Sequence, residues 1–263
     1  MEFRTVVSLQ KPDFRIEPLE SILFVGSCFA DSIGRRFREE HFPVLVNPDG
    51  VMYNPMSVLH TVQRSDAAPR IAFLTLGTNH VYRLKETGEI VDNCQKRPHN
   101  LFQEEQLSIE QCVDSLSQTV EILLTRRSDV QVILTVSPIR YAKYGFHESQ
   151  LSKAVLLLAT DQMTKNYESV SYFPAYEIVL DELRDYRFYQ PDMLHPSPQA
   201  VEYIWQQLVD VYFSDRAKQF LAEWRPIKEA LAHRPFHPES EAYQCFLEDA
   251  KNKEKALLLK YNK

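Results

Sequence analysis

The chain reads as an α/β protein built as a three-layer α/β/α sandwich, on three observations. Continuous apolar runs of strand length recur along it, the first two stopped by glycine. Stretches with helical apolar spacing separate them, and this alternation persists from about residue 22 to residue 212. Apolar runs without polar alternation are how strands covered on both faces read. Strands joined by helices pair in parallel through right-handed crossovers, which puts helices on both faces of the sheet.

Ile22–Val25, ending at Gly26, is the first such strand, and Phe29, Ile33 and Phe37 then repeat every four residues as a helix requires. A short strand at Val44–Val46 and a helix from about Pro55 to Gln63 lead to the second buried run, Ile71–Leu76, stopped by Gly77. Val81–Leu84 and Glu89–Val91 flank a Glu-Thr-Gly turn and predict an inserted hairpin. Ser108 opens a helix whose stripe is Ile109, Cys112, Val113, Leu116, Val120, Leu123 and Leu124. Val130–Val136 is the next strand, followed by a helix over about 149–165, a strand near Val170–Phe173 and a short helix at Tyr176–Leu183. Ser197-Pro198 is an N-cap and first-turn pair before an amphipathic helix carrying Val201, Ile204, Trp205, Leu208 and Tyr212.

Length permits one large α/β unit, read as residues 1–223, followed by a C-terminal helical extension over 224–263. With 30 basic against 36 acidic residues and no long block of either sign, a nucleic-acid surface is not expected. No apolar run approaches the roughly 20 residues that span a bilayer, and the start lacks a signal-peptide core, so no membrane is expected and the cytoplasm is the expected location. Cys28, Cys94, Cys112 and Cys245 have no CxxC pairing and read as free thiols. The 6 glycines are too scattered for a Walker or dinucleotide cradle, and no cofactor is expected. His233 and His237 are interrupted by Pro235, which argues against a helical metal pair, and no metal is expected.

Ligands of open α/β sheets collect beyond the carboxyl ends of the strands, so what each strand delivers there matters. The first delivers Gly26-Ser27-Cys28; the segment after the second holds Gly50 and Tyr53-Asn54. The next delivers Gly77-Thr78-Asn79-His80, and a later one Ser137-Pro138. Asp192-Met193-Leu194-His195 precedes the amphipathic helix, and an Asp three residues before a His can fold back to accept the Nδ1 proton, leaving Nε2 to face a nucleophile.

Gly26-Ser27-Cys28-Phe29-Ala30 resembles the motif of the GSCFA family, a branch of the SGNH or GDSL hydrolase superfamily. Thr75–Thr78, Asn93-Cys94, Ser137–Arg140, Asp181–Tyr189 and Asp192–Ser197 resemble its later blocks, so the resemblance runs from about Ile22 to Trp205. It implies a flavodoxin-like parallel sheet with the nucleophile after the first strand and a late DxxH supplying Asp192 and His195. A GDSxTxxxG block laid without a gap on residues 26–34 puts Cys28 at the nucleophile's position and Ser27 where Asp is usual. Amide dipoles at a helix N-terminus favour a thiolate there. Three readings stay open: Cys28 attacks, Ser27 attacks from an elbow shifted by one residue, or Cys28 is a small buried residue and no nucleophile exists. Asn79, by similarity to the superfamily's GxND block, and the turn at Gly50 are read as oxyanion donors, with Gly77 and Asn54 beside them in the substrate site. The implied function is an esterase or acyltransferase on a small-molecule or carbohydrate O-acyl ester. The rival is a binding or partner module that keeps the cleft without the chemistry. Oligomeric state is not legible here.

Overall fold

The computed structural model describes residues 4–92 and 97–262. Strand β1 (Ile22–Gly26) is buried along its whole length and passes directly into α1 (Cys28–Glu39). Then follow β2 (Val44–Val46), α2 (Pro55–Arg64) and β3 (Ile71–Leu76). A small antiparallel sheet comes next, made of β4 (His80–Leu84), β5 (Ile90–Val91) and β6 (Phe102–Gln106). The main unit resumes with α3 (Ile109–Arg126), β7 (Gln131–Val136), α4 (Phe146–Asn166) and β8 (Val170–Tyr172). It continues with α5 (Ala175–Glu177), α6 (Pro198–Tyr212), α7 (Asp215–Ala232) and α8 (Glu241–Tyr261).

The five-stranded sheet runs in the order β2-β1-β3-β7-β8, with every pair parallel. This is the flavodoxin-type order, in which the chain winds outward in both directions from β1 and leaves a crevice where the winding reverses. The period-2 alternation of β1 divides the core. Phe24 joins Phe37, Phe73, Trp205, Tyr212 and Phe220 on the face covered by α1, α6 and α7. Leu23 and Val25 join Val58, Leu116, Leu134 and Leu156 on the face covered by α2, α3 and α4. Phe24 stacks on Phe73 at 4.8 Å and Trp205 meets Phe37 edge-on at 4.9 Å, so the aromatic face is ordered by ring geometry as well as by burial.

Ser108 and Gln111 form a reciprocal capping box at the start of α3, and Ser197 caps α6 through the Ala200 amide. Three features differ from the sequence reading. Strand β6, Phe-Gln-Glu-Glu-Gln, carries too little apolar signal to be read as a strand, yet it pairs with β4 over five residues. Helix α4 starts earlier, behind Gly145 at φ +86, because a left-handed cap needs no side-chain signal. The short helix passes from α5 into a π-helical turn over Ile178–Leu183, ended by Arg184 at φ +46. Beyond α6, helix α7 runs without a break through residues 223 and 224, and Trp224 is buried with the aromatic face. Near the N-terminus, Ile16 donates to the Tyr212 carbonyl and accepts from the Ser214 amide, one parallel bridge joining this segment to the end of α6.

Candidate active site

The turn after β1 is built from a glycine and three hydroxyls. Gly26 has φ +144, and a Cβ there would lie 2.1 Å from the Thr75 carbonyl oxygen, so no other residue fits. Its amide donates to Asn47 Oδ1 at 2.8 Å, and Asn47 donates in turn to Asp31 on α1. Ser27 is 1 % exposed. Its hydroxyl donates to Ser137 Oγ at 2.9 Å, lies 3.1 Å from Thr75 Oγ1 and accepts the Phe29 amide as the N-cap of α1. Its backbone N–H is bonded to Thr75 as well. Cys28 is the first residue of the helix, half-buried, with Sγ 3.8 Å from the Tyr53 hydroxyl. Burial, and then the neighbouring Cys28, push that phenol up to about 12, so it stays a neutral hydroxyl beside the sulfur.

The ends of β3 and β7 support this turn. The Gly77 and Thr78 amides both donate to the Tyr53 carbonyl at 2.8 Å, which holds the tyrosine against the Cys28 turn. Asn54 caps α2 through the Ser57 amide and ties to the His80 carbonyl. Asn79 is 1 % exposed; its side-chain N–H donates to the Leu107 carbonyl and its Oδ1 has no partner among the described residues. Gly50 lies in an exposed turn at φ +93, its amide donating to the Asn47 carbonyl. Helix α4 binds the same strand ends from behind. Ser152 accepts from the Asn79 amide and meets Thr78, and Ser149 accepts from the Tyr141 amide. Lys153, 1 % exposed, donates to the Gly77 and Ser137 carbonyls at 2.7 Å each.

In the DxxH loop, Asp192 Oδ1 accepts the Leu194 and His195 amides at 2.8 and 3.0 Å, while Oδ2 meets His195 Nδ1 at 2.6 Å. The two backbone donors and the ring together hold this exposed carboxyl down to about 2, so it is ionised throughout the neutral range. With Nδ1 engaged, Nε2 is the imidazole nitrogen left for chemistry. Met193, at φ +58, lets the loop turn tightly between the two partners. Arg140 anchors the loop through the Leu194 and Met193 carbonyls.

The segment Ser137–Arg140 therefore touches the Cys28 turn at one end and the Asp192–His195 loop at the other. Both lie on the carboxyl-end side of the sheet. Among the described residues Cys28 Sγ is bonded toward Tyr53 and His195 Nδ1 toward Asp192, and no hydrogen bond joins Cys28 to His195. Ser27, Gly77, Asn54 and Asn79 support this edge from within, whereas Gly50 stands outside it. Asn47, Thr75, Ser137, Ser152 and Lys153 complete the support. Ser152 and Lys153 lie on a helix and carry no sequence signal that separates them from a solvated face, which is why the sequence reading missed them. Among the described residues no group of three or more His, Cys, Asp or Glu side chains is placed to hold a metal. The Asn93-Cys94 motif lies outside the described residues.

The family model described as the GSCFA family matches residues 21–70 and 61–208. The chain belongs to the GSCFA family. A second model, the GSCFA domain protein C-terminal domain, matches residues 224–263. No curated protein matches this GSCFA chain. Solved structures similar in fold include a candidate platelet activating factor from Streptococcus pneumonia, 15 % identical with a TM-score of 0.50, covering 74 % of this chain and 84 % of that one. A GDSL-like lipase from Bacteroides thetaiotaomicron is 13 % identical with a TM-score of 0.47, over 77 % and 90 % of the two chains. A family 3 carbohydrate esterase from Clostridium thermocellum is 14 % identical with a TM-score of 0.44, over 81 % and 99 %. The GSCFA chain thus shares its fold with the Streptococcus pneumonia structure.

Proposed function

We propose that this GSCFA protein is an esterase or acyltransferase on O-acyl esters, with Cys28 as the attacking group. One observation carries the assignment: of the two residues that could attack, Ser27 has its hydroxyl enclosed by Thr75, Ser137 and the Phe29 amide, while Cys28 presents a half-buried thiol at the start of α1. In this reading His195 Nε2 takes the thiol proton and returns it to the leaving alcohol, while Asp192 fixes the tautomer. The thiolate adds to the ester carbonyl, the alcohol leaves with that proton, and water or a second hydroxyl attacks the thioester to release the acyl group. The Cys28 backbone N–H is the donor proposed for the oxyanion, since Ser27 takes the Phe29 and Ala30 amides and Asn79 spends an N–H on Leu107. A carbohydrate O-acetyl ester is the substrate class proposed, in the cytoplasm.

A panel of acetyl esters, from a p-nitrophenyl ester to acetylated sugars, tests this with two variants. Cys28→Ala is expected to lower turnover by about 10³-fold or more, since the covalent step is lost. Ser27→Ala is expected to keep turnover within about tenfold while costing about 1 kcal/mol of stability through the lost cap. The reverse ranking would make Ser27 the nucleophile. Turnover unaffected by either variant, or absent in the wild type across the panel, would favour the binding-module reading, which the engagement of Asn79 away from the opening already supports.

A further inference from the structure

We propose that Lys153 is a positioning residue of this site, an ammonium clamp joining the ends of β3 and β7 behind the Cys28 turn. The inference rests on the reading of Cys28 as the reacting thiol. The last paired residues of the two strands are Leu76 and Val136, and one further bond runs from the Ser137 amide to the Leu76 carbonyl. Beyond it the carbonyls of Gly77 and Ser137 have no strand partner left to accept from. Lys153 Nζ donates to both at 2.7 Å and so adds one rung to the ladder after the ladder has ended.

Those two residues are also the supports of Cys28. Gly77 carries the Tyr53 carbonyl on its amide, and Tyr53 holds its hydroxyl toward Sγ. Ser137 carries the Ser27 hydroxyl on its own. The clamp therefore sets the spacing between the phenol on one side of the thiol and the helix cap on the other. An apolar side chain could fill the same volume without the desolvation that a buried cation suffers, so the amine does something that volume alone would not. No carboxylate pairs with it among the described residues. Burial is the cause that brings it down to about 7. Lys153 also borders a cavity of about 40 Å³, large enough for a water, whose other charged or titratable groups are Arg140, Tyr176 and Tyr189. Both tyrosines are raised above their ordinary range, chiefly by burial, so they stay neutral where the lysine changes charge. On the elements next to it, Glu177 of α5 is raised by burial and engaged with the Tyr172 hydroxyl.

The test compares the full-length wild type with Lys153→Met and Lys153→Arg, each well below its melting temperature. Iodoacetamide alkylation is followed by peptide mass spectrometry, with the exposed Cys245 as internal reference. Lys153→Met is expected to slow Cys28 alkylation at least about fivefold relative to Cys245, with Lys153→Arg restoring most of it. An unchanged ratio in a folded Met variant would show a merely structural lysine and overturn the proposal. A second measurement needs no variant at this position. In His195→Gln protein carrying ¹³C-carbonyl glycine and ¹³Cβ-cysteine, the Gly77 and Cys28 signals are expected to shift with one shared midpoint near 7. A Cys28 signal that does not follow the Gly77 midpoint would also overturn it. Neither readout uses turnover, so loss of the esterase reading and loss of the clamp would be seen separately.

Discussion

Asp192 gathers three donors in one turn of chain, and the pH response of the site follows from that. A carboxyl held near 2 contributes stability above its ordinary value of 3.8, and that contribution disappears only as pH falls through about 2. The His195–Asp192 pair is therefore expected to survive mild acid, and any turnover lost there belongs to other groups. The carboxyl ¹³C signal missing from Asp192→Asn, followed down to pH 2, checks this; a midpoint near 4 would contradict it. Asp192→Asn itself is expected to lower turnover by about 10⁴-fold with little change in stability, because the imidazole is then held in the wrong tautomer. Equal activity would remove Asp192 from the mechanism. Cys28, Asp192 and His195 were legible in the sequence because each follows a recognisable strand end or spacing. Lys153 was not, because a lysine in a helix ordinarily marks the wet face, and only the tertiary packing turns this one inward.

Among the elements, the strand–turn–helix unit of β1 and α1 carries the tightest constraint. Gly26→Ala would drive a methyl into the Thr75 carbonyl at a φ that L-residues rarely adopt. The expected cost is about 3 kcal/mol or more, read as a lower urea midpoint, and the Cys28 turn should distort with it. A stability loss under about 1 kcal/mol would mean that the turn can open without disturbing β3. By contrast Ser108→Ala, at the capping box of α3, should cost only about 1 kcal/mol and leave the site untouched. The helices and buried strands were readable because apolar periodicity reports burial directly. Strand β6 was not, since its polar sequence is recruited by pairing with β4 rather than by a buried face of its own.

Across the whole molecule, α7 and α8 complete the aromatic side of the core. Phe220 is fully buried and packs edge-on against Tyr261 at 5.1 Å, with Leu257 beside them. Ending the chain at Ser240 removes Leu257 and Tyr261 and uncovers Phe220. By burial alone this should cost about 3–6 kcal/mol, measured by urea unfolding, with increased binding of a hydrophobic dye. Retention of full stability would mean that α8 packs without contributing to the fold. How this C-terminal segment joins the rest was not legible in the sequence, because the residues that dock it, Phe220, Trp224 and Tyr261, lie on both sides of the boundary read between residues 223 and 224.

The bridge between Ile16 and Phe213 has a further consequence during synthesis. Ile16 has no strand partner until the Tyr212 carbonyl and the Ser214 amide exist, about 200 residues later. At roughly 5–20 residues per second the ribosome needs about 10–40 s to deliver them. Throughout that interval the N-terminal segment waits unpaired, and the nascent chain holds β1 and β3 before β7 has been made. Completion of the fold is thus expected only after most of the chain has been made. Chains arrested before residue 212 should leave Ile16 open to proteolysis, and chains arrested beyond residue 261 should not.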